Sequence, residues 1–316
     1  MQKSKKIGVL VWLVSIVLGC NTPKEIIKSE NILPNCRCEG YGNYTIVMDA
    51  GMGNWSLFYQ PVFENLKNNF KVCVIDRVGY NMDSVSLNKR DAKTIAEEME
   101  KALLAKGISD SIILIGHSLG GLHIRMYQSL YPQKVKGMVL LESAHPQQFE
   151  RLPKEFLNLL YQQEKTLDKV MQLAQKDYLK YAKGKIPTFG IPNGLLDEYY
   201  KVTTRPEYYY TTKMEVLAFE NSLQQVEKLA SLDSLPLLVI ASKKSMDETI
   251  IPNNTQNFPF EEHNLEWLKL QKELSNLSKK SKFVVSNKNH YLHVTDSTLV
   301  IEQIKIFMKQ NFNTSK

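Results

Sequence analysis

Ser118 stands at the centre of Gly116-His117-Ser118-Leu119-Gly120, directly after the apolar run Ile112-Ile113-Leu114-Ile115 and directly before a stretch with helical spacing of apolar residues. A serine hydroxyl attacks an acyl carbon only when a base removes its proton, and a G-x-S-x-G turn between strand and helix is a way of presenting that hydroxyl. The turn strains the serine backbone, so the residues two positions either side must lack a Cβ for strand and helix to approach. With 15 Gly and 22 Ser in 316 residues, such a pentapeptide arises by chance about 0.05 times, before the flanking strand and helix are required.

The base has two candidates in the segment Asn289-His290-Tyr291-Leu292-His293, between the last strand and the last helix. His290 is preferred because it lies nearer the strand end. The orienting carboxylate also has two candidates, and both satisfy the chain order serine, acid, histidine. Glu142 ends the strand after the nucleophile strand, whereas Asp247 lies in the loop after the following strand, farther from its strand than a rigid site favours; Glu142 is preferred and Asp247 is the alternative. Oxyanion donors are expected from the backbone N–H of Leu119 and from Met52 in Ala50-Gly51-Met52-Gly53. His117, His123 and His145 read as local hydrogen-bonding groups, His263 as a helix-surface residue, and Asp76 as a partner for a backbone group or Arg77.

These residues are spaced by a βα rhythm that predicts a parallel sheet covered by helices. Strands are expected at 44–48, 71–75, 111–115, 136–141, 235–241 and 282–286, and helices at 91–106, 119–131 (stopped by Pro132) and 296–310. The rhythm breaks once. More than 90 residues of largely helical pattern, rich in Tyr and Leu, separate Leu141 from Leu235, too long a stretch for a loop and therefore a subdomain over the serine. The organisation read from this is a core of 41–146 and 235–316 with a helical cap of 147–234.

The composition, 43% hydrophobic and 23% charged, excludes disorder and low complexity. A net charge of +7, or +4 once Lys3, Lys5 and Lys6 are removed with a leader (7 − 3), is too mild for a nucleic-acid partner. The four Cys and six His show no metal-ligand spacing, and no cofactor or metal is expected. Residues 1–20 have a basic start, a 12-residue apolar run from Ile7 to Leu18, and the ending Val17-Leu18-Gly19-Cys20. That run is short for a span but fits a secretory leader. Its ending resembles the lipobox of bacterial lipoproteins, which implies lipidation at Cys20, a tether over 21–40, and an extracytoplasmic place in the cell envelope, anchored to a membrane by acyl chains. A soluble secreted chain is the alternative. In an oxidising compartment one pair among Cys36, Cys38 and Cys73 could bridge, Cys36 with Cys38 being geometrically poor.

With the serine, the histidine, the oxyanion loop and the strand order in place, residues 40–311 resemble the α/β-hydrolase superfamily. The blocks that carry the likeness are Asp49 to Asn54, Asp76 to Tyr80, Gly116 to Gly121, Leu141 to Pro146 and Asn289 to His293. The resemblance implies an eight-stranded-type sheet with a helical cap, no cofactor, and hydrolysis of an ester or related acyl bond in a small molecule; it also favours His290 over His293. Ser118 sets the chain apart from the branches that use Asp as nucleophile. A peptidase or amidase on the same triad, or a tethered binding protein without turnover, would share all these blocks. Oligomeric state and acyl chain length leave no mark in the sequence.

Overall fold

The computed structural model describes residues 26–177, 187–251 and 257–312. Its central sheet has seven strands among the described residues, one fewer than the resemblance implies. In chain order they are β2 (Asn35–Glu39), β3 (Thr45–Asp49), β4 (Lys71–Asp76), β6 (Ile112–His117), β7 (Val135–Leu141), β8 (Leu237–Ser242) and β9 (Ser281–Ser286), arranged β2-β4-β3-β6-β7-β8-β9. Only β2 is antiparallel. Two three-residue strands, β1 (Ile27–Ser29) and β5 (Ser84–Ser86), pair separately. All six expected strands are present to within about two residues. The strand order places β6, which ends at the serine, in the middle of the sheet.

The helices used below are α1 (Gln60–Leu66), α2 (Ala92–Ala105), α3 (Leu119–Leu130), α4 (Lys154–Asp177), α5 (Leu196–Thr203), α6 (Pro206–Glu227), α7 (Phe260–Leu274) and α8 (Ser297–Asn311). The strands are buried on both faces, so alternate side chains feed two cores. Ile112 and Leu114 of β6, with Met138 and Leu140 of β7, pack against α2 and α3. Ile113 and Ile115, with Val139 and Leu141, pack against α1 and α8. Each such side chain contributes about 1.5–3 kcal/mol by leaving water, and doing so on both faces fixes the register of a strand whose slip by one residue would exchange the two cores. Asp91 caps α2 by accepting from the Thr94 N–H at 3.0 Å. Between β7 and β8 the described residues are mostly helical, with α6 lying back on the core against α2 and α3.

Residues 21–25, like the leader expected over 1–20 and its Cys20, lie outside the described residues. The tether expected over 21–40 instead carries β1, paired with β5, and β2, which pairs along β4 and sets Cys38 opposite Cys73, and these two are disulfide-bonded. The strand was not legible because Asn35-Cys36-Arg37-Cys38-Glu39 alternates only its two cysteines inward, and an edge strand carries little apolar signal. Cys36 is the free, buried thiol, pushed up to about 11 by burial.

The bridge closes a loop of 35 residues, and the loop-closure relation puts its stabilisation at about 3–4 kcal/mol. The double variant Cys38→Ala/Cys73→Ala should lose about that much unfolding free energy in urea while keeping the reactivity of Ser118, since the bridge lies at the sheet edge away from β6.

Candidate active site

β6 ends in a turn that puts Ser118 at φ 51°, ψ −120°, in the left-handed half of backbone space. Three glycines make this possible. A Cβ on Gly116 would stand 2.6 Å from the Gly120 carbonyl oxygen, one on Gly120 would stand 2.5 Å from the Asp49 oxygen, and one on Gly121 would stand 1.9 Å from Ser143 Oγ. The turn is also pinned across the sheet. Ser118 N–H donates to the Leu141 oxygen at 3.1 Å, and the Ser118 oxygen accepts from Ala144 N–H at 2.9 Å and Gly121 N–H at 3.0 Å. Strain at one residue persists because its neighbours overdetermine it.

The same strand end that pins the serine presents Glu142. Its backbone too has positive φ, 45°, and its side chain is fully buried. The carboxylate accepts three hydrogen bonds: from Ser242 N–H at 2.6 Å on one oxygen, and from Trp267 Nε1–H at 3.0 Å and His290 Nδ1 at 3.0 Å on the other. A carboxylate bonded to Nδ1 fixes the imidazole tautomer and leaves Nε2 as the basic face. His290 is held further by its own N–H donating to the Ser245 oxygen at 3.0 Å, and by the Trp267 ring, edge-on at 5.9 Å between centroids. The alternative acid is elsewhere: Asp247 Oδ1 accepts from Thr249 N–H at 2.9 Å and from the Thr249 hydroxyl, closing a local turn. Glu142, not Asp247, is brought to His290.

His293 is buried without exposure, its ring 4.2 Å from that of His117 and 4.7 Å from that of Tyr59. Burial drives it down to about 3, so it stays neutral. His117 is likewise depressed by burial, and its Nε2 meets the His290 oxygen at 2.9 Å. His290 therefore has no charged histidine beside it.

Ser118 and His290 line one cavity of about 350 Å³, which also reaches both expected oxyanion residues, Met52 and Leu119. Leu119 opens α3, so its N–H is one of the helix-start donors with no intrahelical partner. The walls are apolar, with Phe156, Leu159 and Phe219 from the cap side, and no Asp, Glu, Lys or Arg lines the cavity among the described residues.

One reading of the sequence, that of His263, changes here. No tyrosine of the cap lines the cavity among the described residues; Tyr199 instead stacks on Trp55 at 5.6 Å, in a separate cluster with Phe58 and Tyr80. His263 is not a helix-surface residue: it is 1% exposed, lies between Phe156 and Phe258, and lines the cavity, because α7 turns that face inward beside Trp267. Trp267 itself was missed. A tryptophan in an amphipathic helix reads as core, and its hydrogen bond to Glu142 has no local signature. Asp76 accepts from Ser56 N–H at 2.6 Å and the Ser56 hydroxyl at 3.1 Å, a backbone partner as expected, while Arg77 bonds elsewhere.

Residues 44–180 match the family model of the alpha/beta hydrolase fold. Among curated proteins the chain is similar to the uncharacterized protein YbdG of Bacillus subtilis, 31% identical over 113 residues, 35% of either chain. It is also similar to the uncharacterized protein YqjL of the same organism, 24% identical over 264 residues, 83% of this chain and 82% of that one. The match thus spans about a third of the first relative's length. Among solved structures, an esterase from Thermogutta terrifontis superposes with a TM-score of 0.64 at 16% identity, covering 89% of this chain and 94% of that one. The epoxide hydrolase CorEH gives 0.63 at 14% identity over 87% and 94%. The fold is the α/β-hydrolase fold.

Replacing Glu142 by Gln removes the negative charge beside His290 and sets an amide NH2 against a donor on one side, so the His290 tautomer is no longer fixed, and the rate at which a fluorophosphonate labels Ser118 should fall by about 10³–10⁴. Asp247→Asn should stay within about twofold of wild type. Mass-spectrometric time courses of adduct formation read both.

Proposed function

We propose that this chain is a serine hydrolase that cleaves carboxylic esters of small, uncharged, apolar acids through a Ser118-His290-Glu142 triad and an acyl-enzyme. The observation that carries the reading is the meeting of the Glu142–His290 pair and the strained Ser118 turn at one cavity. An esterase and an epoxide hydrolase share this fold, so the fold does not choose the chemistry. The serine at the turn does, because it can form an acyl-enzyme.

In the proposed sequence His290 Nε2 takes the Ser118 proton as Oγ attacks the acyl carbonyl, and Glu142 stabilises the imidazolium that results. The Met52 and Leu119 N–H groups receive the oxyanion. His290 returns the proton to the leaving alcohol; a water, deprotonated by the same histidine, then releases the acid and restores Ser118. The cavity wall favours apolar acyl groups, since a charge placed there would lose its hydration without gaining a partner. Residues 1–20 are carried in this reading as a lipoprotein leader, with Cys20 as the lipidated residue and the enzyme held at the envelope surface. Among the described residues no helix is long and apolar enough to cross a membrane.

Wild type should hydrolyse p-nitrophenyl butyrate and be labelled by a fluorophosphonate on Ser118. Ser118→Ala should abolish both, and His290→Ala should slow both at least 10³-fold. A succinate half-ester of the same alcohol should be cleaved at least tenfold more slowly than butyrate, given its uncompensated charge. A folded wild type that neither turns over nor reacts would exclude the hydrolase. For the anchor, Cys20→Ser should move the full-length chain from the detergent fraction of cells to the aqueous one.

A further inference from the structure

A cluster of charged groups lies buried beneath the first oxyanion loop, and the proposed mechanism does not use it. Arg77 is 1% exposed. Its Nη1 donates to Asp49 Oδ1 at 2.7 Å and to the Ala50 oxygen at 2.8 Å; its Nη2 donates to the Gly51 oxygen at 2.6 Å; its Nε donates to Glu215 Oε1 at 2.7 Å. Glu215 comes from α6, in the cap, and is fully buried. Its other oxygen accepts from the Tyr80 hydroxyl at 2.7 Å and from Gly53 N–H at 3.3 Å. Asp49 is held on its second oxygen by His123 Nδ1 at 2.6 Å.

The geometry of a peptide group gives this cluster a direction. The Gly51 oxygen and the Met52 N–H belong to one planar trans peptide and point opposite ways. When Arg77 Nη2 fixes the oxygen, it turns the Met52 N–H away from the ion cluster. The next peptide is fixed as well, because the Gly53 N–H is engaged by Tyr80, at 3.1 Å, and by Glu215. Gly53 is therefore not the oxyanion donor, and Met52, which lines the cavity, has its amide clamped from both sides. Arg77 is itself held between two carboxylates. Burial alone would lower its pKa, but Glu215 and Asp49 raise it well above the ordinary value, so the guanidinium stays charged.

We propose that Glu215 is a positioning residue for the oxyanion hole: reaching down from the cap, it holds Arg77 and Gly53 so that the Met52 N–H points at the developing oxyanion. The cap then completes the catalytic apparatus as well as walling the pocket. The contact is close throughout. The Tyr208 hydroxyl and Thr212 of α6 crowd Gly53, at φ 68°, and Thr211 sits where a Cβ on Gly79, at φ 101°, would be. This inference rests on the serine-hydrolase reading above.

Glu215→Gln keeps an acceptor for Gly53 and Tyr80 but removes the charge opposite Arg77. It should lower kcat for p-nitrophenyl butyrate by about 10–100-fold with KM within twofold, and weaken binding of butylboronic acid, which forms a tetrahedral anion on Ser118, by a similar factor. Tyr80→Phe, a milder change that folds more readily, should give a smaller loss with the same division between kcat and KM. Glu215→Asp should recover part of it. As a control, Asp168→Asn breaks the surface pair of Lys213 with Asp168 on the cap without touching the loop, and should alter kcat less than twofold. If folded Glu215→Gln and Tyr80→Phe keep wild-type kcat and boronate affinity, the inference is overturned. It is also overturned if Asp168→Asn causes an equal loss, since loosening of the cap would then explain it. Inactive wild type with an unlabelled Ser118 would remove the hydrolase reading and this inference together, whereas active wild type with unaffected variants removes this inference alone.

Discussion

The backbone of Ser118 cannot relax. An L-residue at positive φ costs about 1–3 kcal/mol, and here that conformation is imposed by neighbours on three sides: β3 behind Gly120, Ser143 against Gly121, and the Leu141 oxygen on the serine amide. All three are backbone or strand-end contacts. The turn therefore depends on β3, β6 and β7 ending level with one another, which in turn depends on their parallel register and on the two cores that hold it. The geometry of the candidate site is set by the packing of a sheet, with side chains added at the rim.

One rim carries both ends of the proposed triad. Leu141 accepts from the Ser118 amide, and its neighbour Glu142 reaches His290. The proposed nucleophile and acid thus sit at the ends of adjacent strands, tied by the Ser118 N–H to the oxygen of the residue before Glu142, and the histidine alone comes from a loop. A second positive-φ residue at Glu142 follows from this economy, since the chain must turn out of β7 while the carboxylate turns inward. The loop after β8, where Asp247 sits, is then free to do something else: its Ser245 carbonyl and Met246 line the pocket and support the histidine.

Legibility followed the range of the physical signal. The βα rhythm and the elbow were readable because strands buried on both faces and tight turns leave signatures within a few residues. Between Glu142 and Asp247 the sequence could offer only a preference, because the choice depends on how far a β8 loop reaches in three dimensions. Trp267 and His263 were read wrongly or passed over for the same reason: they are 125 and 121 residues from Glu142 in sequence, and only the packing of α7 under the pocket brings them there. β2 was missed on different grounds, being an edge strand held by one neighbour and a disulfide and so lacking an apolar run.

The aromatic residues of the cap show where such a reading must stop. A run of tyrosines above a nucleophile invites assignment to substrate binding, yet Tyr199 stacks on Trp55 and Tyr209 bonds the Thr203 oxygen. Their positions make sense once the cap is treated as a second core. α6 has to lie close enough to the loops after β3 and β4 for Glu215 to enter the Arg77 cluster, and a buried ion group of that kind is tolerable only when water is kept out and every charge has a partner. Large rings that carry one polar tip can fill that interface and still satisfy their hydroxyls. The cap side of the pocket, in contrast, is faced mostly by Phe and Leu side chains that have no polar group to satisfy, with Gln148 the exception, and the other polar lining groups, such as Asn54, Ser118, Ser245 and His290, come from outside the cap. The division within the cap, tyrosines against the loop after β3 and mostly hydrocarbon against the pocket, follows from which surfaces must bury charge and which must not.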